Sequence, residues 1–323
     1  MGFSDYAVKR LLLAIPVLLG VSIGVFLLIK LSPGSPVTTI LPPQQRTPAN
    51  VERLRQRLGL GKPLYVQYFK WLKHAVVGDL GRSYALQSQV TSLILSRIWP
   101  TIQLALVSLL VAILIAVPAG VISAVYKDTW VDHTSRVVAF LGISIPPFWL
   151  GIMIIMVFVL FWKSWFGAPL IPISGYAAPT ENPLQWARTI LAPGITLGVG
   201  YAALTARMTR SAMVEVLNED YVQTARSKGV KESSVVLVHT FRNALIPVVT
   251  VLGLQIGFLF NGSIVVEQIF KWPGIGRLLY NAVLARDLPL IQGIILAIAM
   301  VFVLANLFVD LLYAYLDPRI KYE

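Results

Sequence analysis

Cysteine is absent from the 323-residue chain, so disulfides, thiolate metal sites and cysteine nucleophiles are excluded together. Histidine is nearly absent: His74, His133 and His239 are too few and too scattered for an imidazole metal centre. Charge is scarce as well. Asp, Glu, Lys and Arg make up 13% of the residues, against about a quarter in a soluble domain. Disorder, whose signature is low hydrophobicity with high charge, is excluded by the same numbers. What the chain has is apolar bulk, 56% of its residues with a mean hydropathy of +0.73. Its formal net charge is +12. On so apolar a chain that excess points to basic loops facing anionic lipid or acidic partners rather than nucleic acid. The sequence reads as a membrane protein.

A helix needs roughly 20 apolar residues to cross the hydrocarbon layer. Six uncharged, apolar-rich runs meet or approach that length: Leu11–Ile29, Thr101–Tyr126, Val137–Trp162, Thr189–Ala206, Ala244–Val266 and Leu288–Val309. Lys9 and Arg10 precede the first run, but Ile29-Lys30-Leu31 is no small-residue cleavage site, so it reads as an uncleaved anchor. Six crossings put both termini on one side. With that side in the cytoplasm, the inner segments carry 12 Lys and Arg and the short outer loops 5. This is the bias the positive-inside rule expects. The 66 residues from Ser32 to Arg97 carry nine more, in a loop long enough to translocate regardless of charge.

That loop divides the chain into an anchor with an extracytoplasmic helical segment, 1–98, and a five-helix core, 99–323. Ser32-Pro33-Gly34-Ser35-Pro36 and Pro42-Pro43 predict turns. Thr47 and Pro48 read as N-cap and first residue of a short basic helix with Gly59 as its C′ residue. Pro63 starts a second helix bearing Tyr65, Phe69, Trp71 and Leu72 and ending at Gly78. Two readings stand for this pair: helices lying on the membrane surface, or part of a docking surface.

None of the six runs contains an ionisable residue, unlike the spans of proton relays and voltage sensors. Glu267 and Asp310 fall just past span ends, where water or a neighbouring arginine is expected to meet them. A translocation path would be lined instead by polar and aromatic residues such as Ser144, Gln255 and Asn261. Pro118, Pro146-Pro147, Pro193 and Pro247 predict bent or broken helices. The pairs Gly194/Gly198 and Gly253/Gly257 predict close helix approach.

The stretch from Arg207 to Arg242 is too long for a simple helical hairpin, which usually takes 2–8 residues. Within it Glu219 and Asp220 begin a helical run, and Arg226 and Lys228 close it, in the sense that suits the helix macrodipole. Gly229 supplies a C′ residue tolerant of positive φ. Tyr221, Val222 and Ala225 form a small apolar face. A second helix is expected from near Lys231 towards Pro247. A short, glycine-stopped helix between two spans is a candidate lever for a cytoplasmic partner, with a solvated surface helix as the alternative.

The string EDYVQTARSKG (219–229), followed by HTFRNALIPVVT (239–250), resembles the coupling segment of permease subunits of bacterial and archaeal ABC importers. The likeness is to the B-type permeases of the dipeptide and oligopeptide branch, with Gln223-Thr224-Ala225 and Gly229 at the positions of the Glu-Ala-Ala…Gly motif. Further strings resemble that branch in order along the chain: KRLLLAIPVLLGVS (9–22), LGLGKPLYVQY (58–68), GDLGRS (78–83), SIPPFWLG (144–151), MTRSAM (208–213), VVEQIFKWPGIG (265–276) and NLFVDLLYAYLDPRI (306–320).

The resemblance implies an all-α, polytopic protein with six transmembrane helices and the type I ABC importer permease fold. It implies a multi-pass subunit of the bacterial or archaeal cytoplasmic membrane. Its partners would be membrane lipid, a homologous second permease, two cytoplasmic ATPases and an extracytoplasmic binding protein, with no nucleic acid. Glu219, Asp220, Tyr221, Ala225, Arg226, Lys228 and Gly229 would meet the ATPase, and ATP and magnesium would be held there, this chain needing no cofactor or metal. Dipeptides or oligopeptides are the implied cargo, with nickel complexes, glutathione or oligosaccharides as alternatives. A stand-alone channel or secondary transporter is the reading from a different class. Gly61-Lys62 is followed by Pro63 and no glycine lies five residues before Gly61, so it is not a phosphate loop. No serine and histidine fall into a nucleophile-and-base arrangement, and the chain reads as non-catalytic.

Overall fold

In a computed structural model of the chain, residues 3–31, 44, 47–58, 61–172 and 175–316 are described, without the side chains of 3–7, 29, 54, 57–58, 257–262 and 312–316. The turns expected at Ser32–Pro36 and Pro42-Pro43, the Gly59 cap and the side chain of Asn261 lie outside these. The helices are α1 (Phe3–Leu31), α2 (Pro48–Leu58), α3 (Leu64–Val76), α4 (Val90–Val125), α5 (Trp130–Ser144) and α6 (Pro147–Phe166). They continue with α7 (Pro183–Leu217), α8 (Asp220–Ser227), α9 (Phe241–Ile269), α10 (Ile275–Leu284) and α11 (Leu288–Leu316). A single turn at Glu232–Ser234 and a π turn at Val235–Thr240 lead into α9. Among the described residues, six helices are long and apolar enough to cross a bilayer: α1, α4, α6, α7, the stretch entering α9, and α11.

The third apolar run, 137–162, is not one helix. It breaks between α5 and α6, where Ile145 and Pro146 are extended with ψ 119° and 134°. Each precedes a proline, whose Cδ disfavours helical ψ in the residue before it. Pro147 then opens α6 at a position where its missing N–H costs nothing.

The chain forms two compact units, residues 1–99 with 274–304, and residues 100–273 with 305–323. In the first, Thr47 caps α2 by accepting the Asn50 N–H at 3.3 Å. Helix α3 follows Pro63 and its terminus is closed by Gly78 at φ 84°. One face of α3 packs on α1: Tyr68 and Trp71 lie against Phe26, and the Tyr68 and Ser22 hydroxyls are 2.7 Å apart. Lys30 Nζ donates to Gln67 at 2.6 Å. Tyr65 and Phe69 are left exposed. The core of this unit is Val90, Ile94, Ile275, Leu278, Ala282, Leu290 and Ile294. Buried Asp287 accepts from the Ser83 hydroxyl and the Ala85 N–H, fastening the 81–90 loop to the start of α11.

In the second unit α7 is the central element. Its start is capped by the Asn182 side chain, which accepts the Gln185 N–H at 3.0 Å. Leu104, Ile190, Leu197, Val266, Phe270 and Trp272 pack at one end of the unit. Trp272 Nε1 donates to the Pro100 carbonyl at 2.9 Å. Glu267, expected to reach water or an arginine, is instead fully buried and accepts the Thr101 hydroxyl at 2.8 Å. A helix end is wet only where nothing packs over it, and here α4 does. Small residues set the close approach expected of Gly194 and Gly198: a Cβ on Gly198 would lie 2.8 Å from the Ser108 carbonyl oxygen of α4.

Candidate coupling site

The segment between α7 and α9 is built as a short helix held at both ends. Helix α7 stops at Leu217, and Glu219 turns the chain with φ −69° and ψ 144° before α8 begins. Its backbone carbonyl accepts the Val222 and Gln223 N–H groups. Asp220 sits in the first turn and Arg226 in the last, each favourable against the helix dipole. After Lys228, Gly229 adopts φ 75°. Its N–H donates to the Arg226 carbonyl at 2.9 Å, and the Val230 N–H donates to the Ala225 carbonyl at 3.2 Å. That bond pair is a Schellman motif, whose left-handed position glycine fills without strain. A Cβ at Gly229 would meet no other group.

Arg226 then ties the end of α8 to the next turn, donating from Nε at 3.2 Å and from Nη2 at 2.7 Å to Glu232. This fork holds the Arg226 guanidinium charged and pushes its pKa further up. Tyr221 is also held: its hydroxyl accepts from Asn243 at 2.8 Å. Val222 is wholly buried and Ala225 half-buried, whereas Tyr221 is exposed, so only part of the apolar face turns towards the chain's own body. Glu219, Asp220, Gln223, Thr224, Lys228 and Gly229 are exposed. Helix α8 itself packs on the π turn and the end of α7, and next to it lies a core of Ala124, Ala212, Met213, Val236 and Ala244, with Leu217 and Phe241 against it. The ends of α4 and α7, the π turn and the start of α9 are thus clamped at the root of the short helix.

A second device at this end of the unit is not apparent from sequence. Asp132, fully buried near the start of α5, accepts a fork from Arg210 of α7, with Nε to Oδ1 and Nη2 to Oδ2 both at 2.7 Å. The Ser123 hydroxyl donates to it at 2.6 Å and the Asp128 N–H at 3.0 Å. Arg210 chiefly, then the Ser123 hydroxyl and the Asp128 N–H, hold the Asp132 carboxyl well below the usual carboxylate range against its burial. The pairing spans 78 positions; the only local hint is Arg136 one turn after Asp132.

The residues expected along a path are dispersed. Ser144 is exposed beside the break at Ile145–Pro146, its hydroxyl bonded to the Phe140 carbonyl. Gln255 is buried between α7 and α9, donating to the Tyr201 carbonyl at 3.3 Å and bonded to the Thr205 hydroxyl.

Six long apolar helices and a capped, charged short helix rooted between two of them define a multi-pass membrane transport subunit. The family model described as "Binding-protein-dependent transport system inner membrane component" matches residues 116–322, and that of its N-terminal part matches residues 3–105. The chain is 45% identical to the dipeptide transport system permease protein DppB of Alkalihalophilus pseudofirmus, over 98% of this chain and 99% of that one. It is also 45% identical to the glutathione transport system permease protein GsiC of Escherichia coli K12, over 99% of each. Among solved structures it is similar to a chain of the MetNI methionine ABC transporter in inward-facing conformations. That match has a TM-score of 0.56 at 18% identity and covers 70% of this chain and 96% of that one. The chain belongs to the family of inner-membrane components of binding-protein-dependent transport systems. It is the permease of an ABC importer, a membrane subunit that carries no catalysis itself.

Proposed function

We propose that this permease forms half of a path for short peptides and is driven through α8 by a cytoplasmic ATPase. The observation that carries the reading is the Schellman-capped α8, seated where the ends of α4 and α7 and the start of α9 share one small core. A push on α8 from outside the chain is passed to α7 and, through the π turn and the Tyr221–Asn243 bond, to α9. Glu219, Asp220, Tyr221, Ala225, Arg226, Lys228 and Gly229 form the proposed contact set. Arg226 orients the helix through Glu232, and Lys228, free to swing, reaches acidic groups of the ATPase. Ser144 and Asn261 are offered as polar lining of the path, with Gln255 as the interhelical bond behind it.

Both termini are assigned to the cytoplasm on the basic-residue bias of the loops. A homologous second permease completes the path, two ATPases hold ATP and magnesium, and an extracytoplasmic binding protein delivers cargo. ATP-driven closure of the ATPases brings paired α8 helices together and tips the spans outward, and hydrolysis reverses it. The ATPases supply the differential free energy that any such shift requires. Short-peptide cargo is supported by the names of the two relatives, one a dipeptide and one a glutathione permease.

Gly229 tests the lever. At φ 75° a β-branched residue is strained by about 1–3 kcal/mol, whereas asparagine adopts this region readily. Gly229→Val is expected to abolish peptide uptake at equal membrane expression, and Gly229→Asn to retain most of it. Normal uptake by the valine variant would remove α8 from the mechanism.

A further inference from the structure

A pocket of about 190 Å³ opens between α4, α5 and α7, apart from α8. Its lining is divided by chemistry. Arg136, Arg207, Arg210, Ser135 and Ser211 are among its polar lining residues, and Ala139, Phe140 and Ile143 among its apolar ones. Arg210 is neutralised by Asp132, and Arg136 shares the same carboxylate at 3.5 Å. Among the described residues Arg207 has no ion-pair partner, and it is exposed at the pocket. With Asp128 counted, whose backbone N–H is bonded to Asp132, the cluster still holds three guanidinium groups against two carboxylates. It therefore favours an anion. Phe140 also belongs to an exposed apolar stretch of α5 outside the pocket, where Val137, Val138, Phe140 and Leu141 are each more than half exposed.

We propose that this pocket binds the phosphate of an anionic phospholipid, with Arg207 and Arg136 on the phosphate and the acyl chain lying along α5. A free inorganic anion would satisfy the guanidinium groups and leave the apolar lining residues unused. The volume, room for about six water-sized groups, fits a phosphodiester with its first carbons and leaves the chains outside, where the exposed apolar face runs. Basic pockets between spanning helices have this chemistry for lipid headgroups. The bound lipid would bridge α5 and α7 beside the Asp132–Arg210 pair. The inference does not depend on the role given to α8.

The test uses the whole importer complex extracted in neutral detergent. It is titrated with phosphatidylglycerol or phosphatidylcholine, and bound lipid is counted by native mass spectrometry. One phosphatidylglycerol per chain should be retained, and phosphatidylcholine should not. Arg207→Gln should weaken retention about fivefold, the effect of one basic residue near a lipid headgroup. Arg207→Lys should restore most of it. Since Arg207 makes no ion pair, the melting temperature of the lipid-stripped variants should be unchanged, which separates lost binding from lost folding. Equal retention by Arg207→Gln, or equal retention of phosphatidylcholine, overturns the proposal. Displacement by inorganic phosphate would make the site one for a free anion and overturn the lipid assignment. Retention seen only in complexes lacking the second permease would assign the face to a protein partner, with the same consequence.

Discussion

Asp132 is where three parts of the chain meet: the end of α4 through Ser123, the turn through Asp128 and α7 through Arg210. Asparagine keeps its shape but leaves the half-buried Arg210 without a counter-charge. Breaking a buried pair by removing one partner costs about 3–5 kcal/mol; the partial exposure of Arg210 lowers the expectation to about 2 kcal/mol. Asp132→Asn should therefore melt several degrees below wild type in detergent at neutral pH. The sign of the pH dependence follows from the depressed carboxyl pKa. The stabilisation is complete above the unfolded value of about 4 and is lost as pH falls towards the folded one. The gap between wild type and variant should be constant from pH 7 to 5 and close below about pH 4. A gap that narrows above pH 5 would contradict this reading. The pair was not legible in sequence, because its partners are remote in the chain and nothing in MTRSAM (208–213), where Arg210 lies, points to Asp132. Gly229 was legible, because its signal is local: a glycine after a basic last turn.

At the scale of elements, helix existence was easier to read than helix extent. The apolar runs located the six long helices, but α4 begins at Val90 and α7 extends from Pro183 to Leu217, well past runs that began at Thr101 and ended at Ala206. These ends are helical because they pack inside protein, as Thr209, Ala212 and Met213 do, and hydropathy does not register such burial. The apolar face assigned to α8 was seen, but not its direction: Val222 points inward, and the exposed surface is mostly polar. Gly120 and Gly198 let α4 and α7 approach. A Cβ on Gly120 would lie 2.6 Å from Thr209 Cβ, and one on Gly198 would meet backbone at 2.8 Å. Because a carbonyl cannot rotate away as a side-chain tip can, Gly198→Val should cost about 1–3 kcal/mol of overpacking. Thermal unfolding of the purified variant reads this directly. An unchanged melting temperature would mean that the two helices are not in contact there.

At the scale of the molecule, the chain supplies the spans and, in the proposed reading, a lever, while the ATPase is a separate subunit. The account therefore stands on a contact with another protein at α8. The absence of cysteine makes that contact directly measurable, because a single introduced thiol is the chain's only one. Lys228→Cys, exposed at the end of α8, would be placed in the importer complex and treated with a short thiol-to-amine cross-linker, with and without ATP. The account predicts a covalent adduct whose mass is this chain plus one ATPase subunit, in a yield that changes with nucleotide. An intact complex containing the ATPase that gives no such adduct would contradict it.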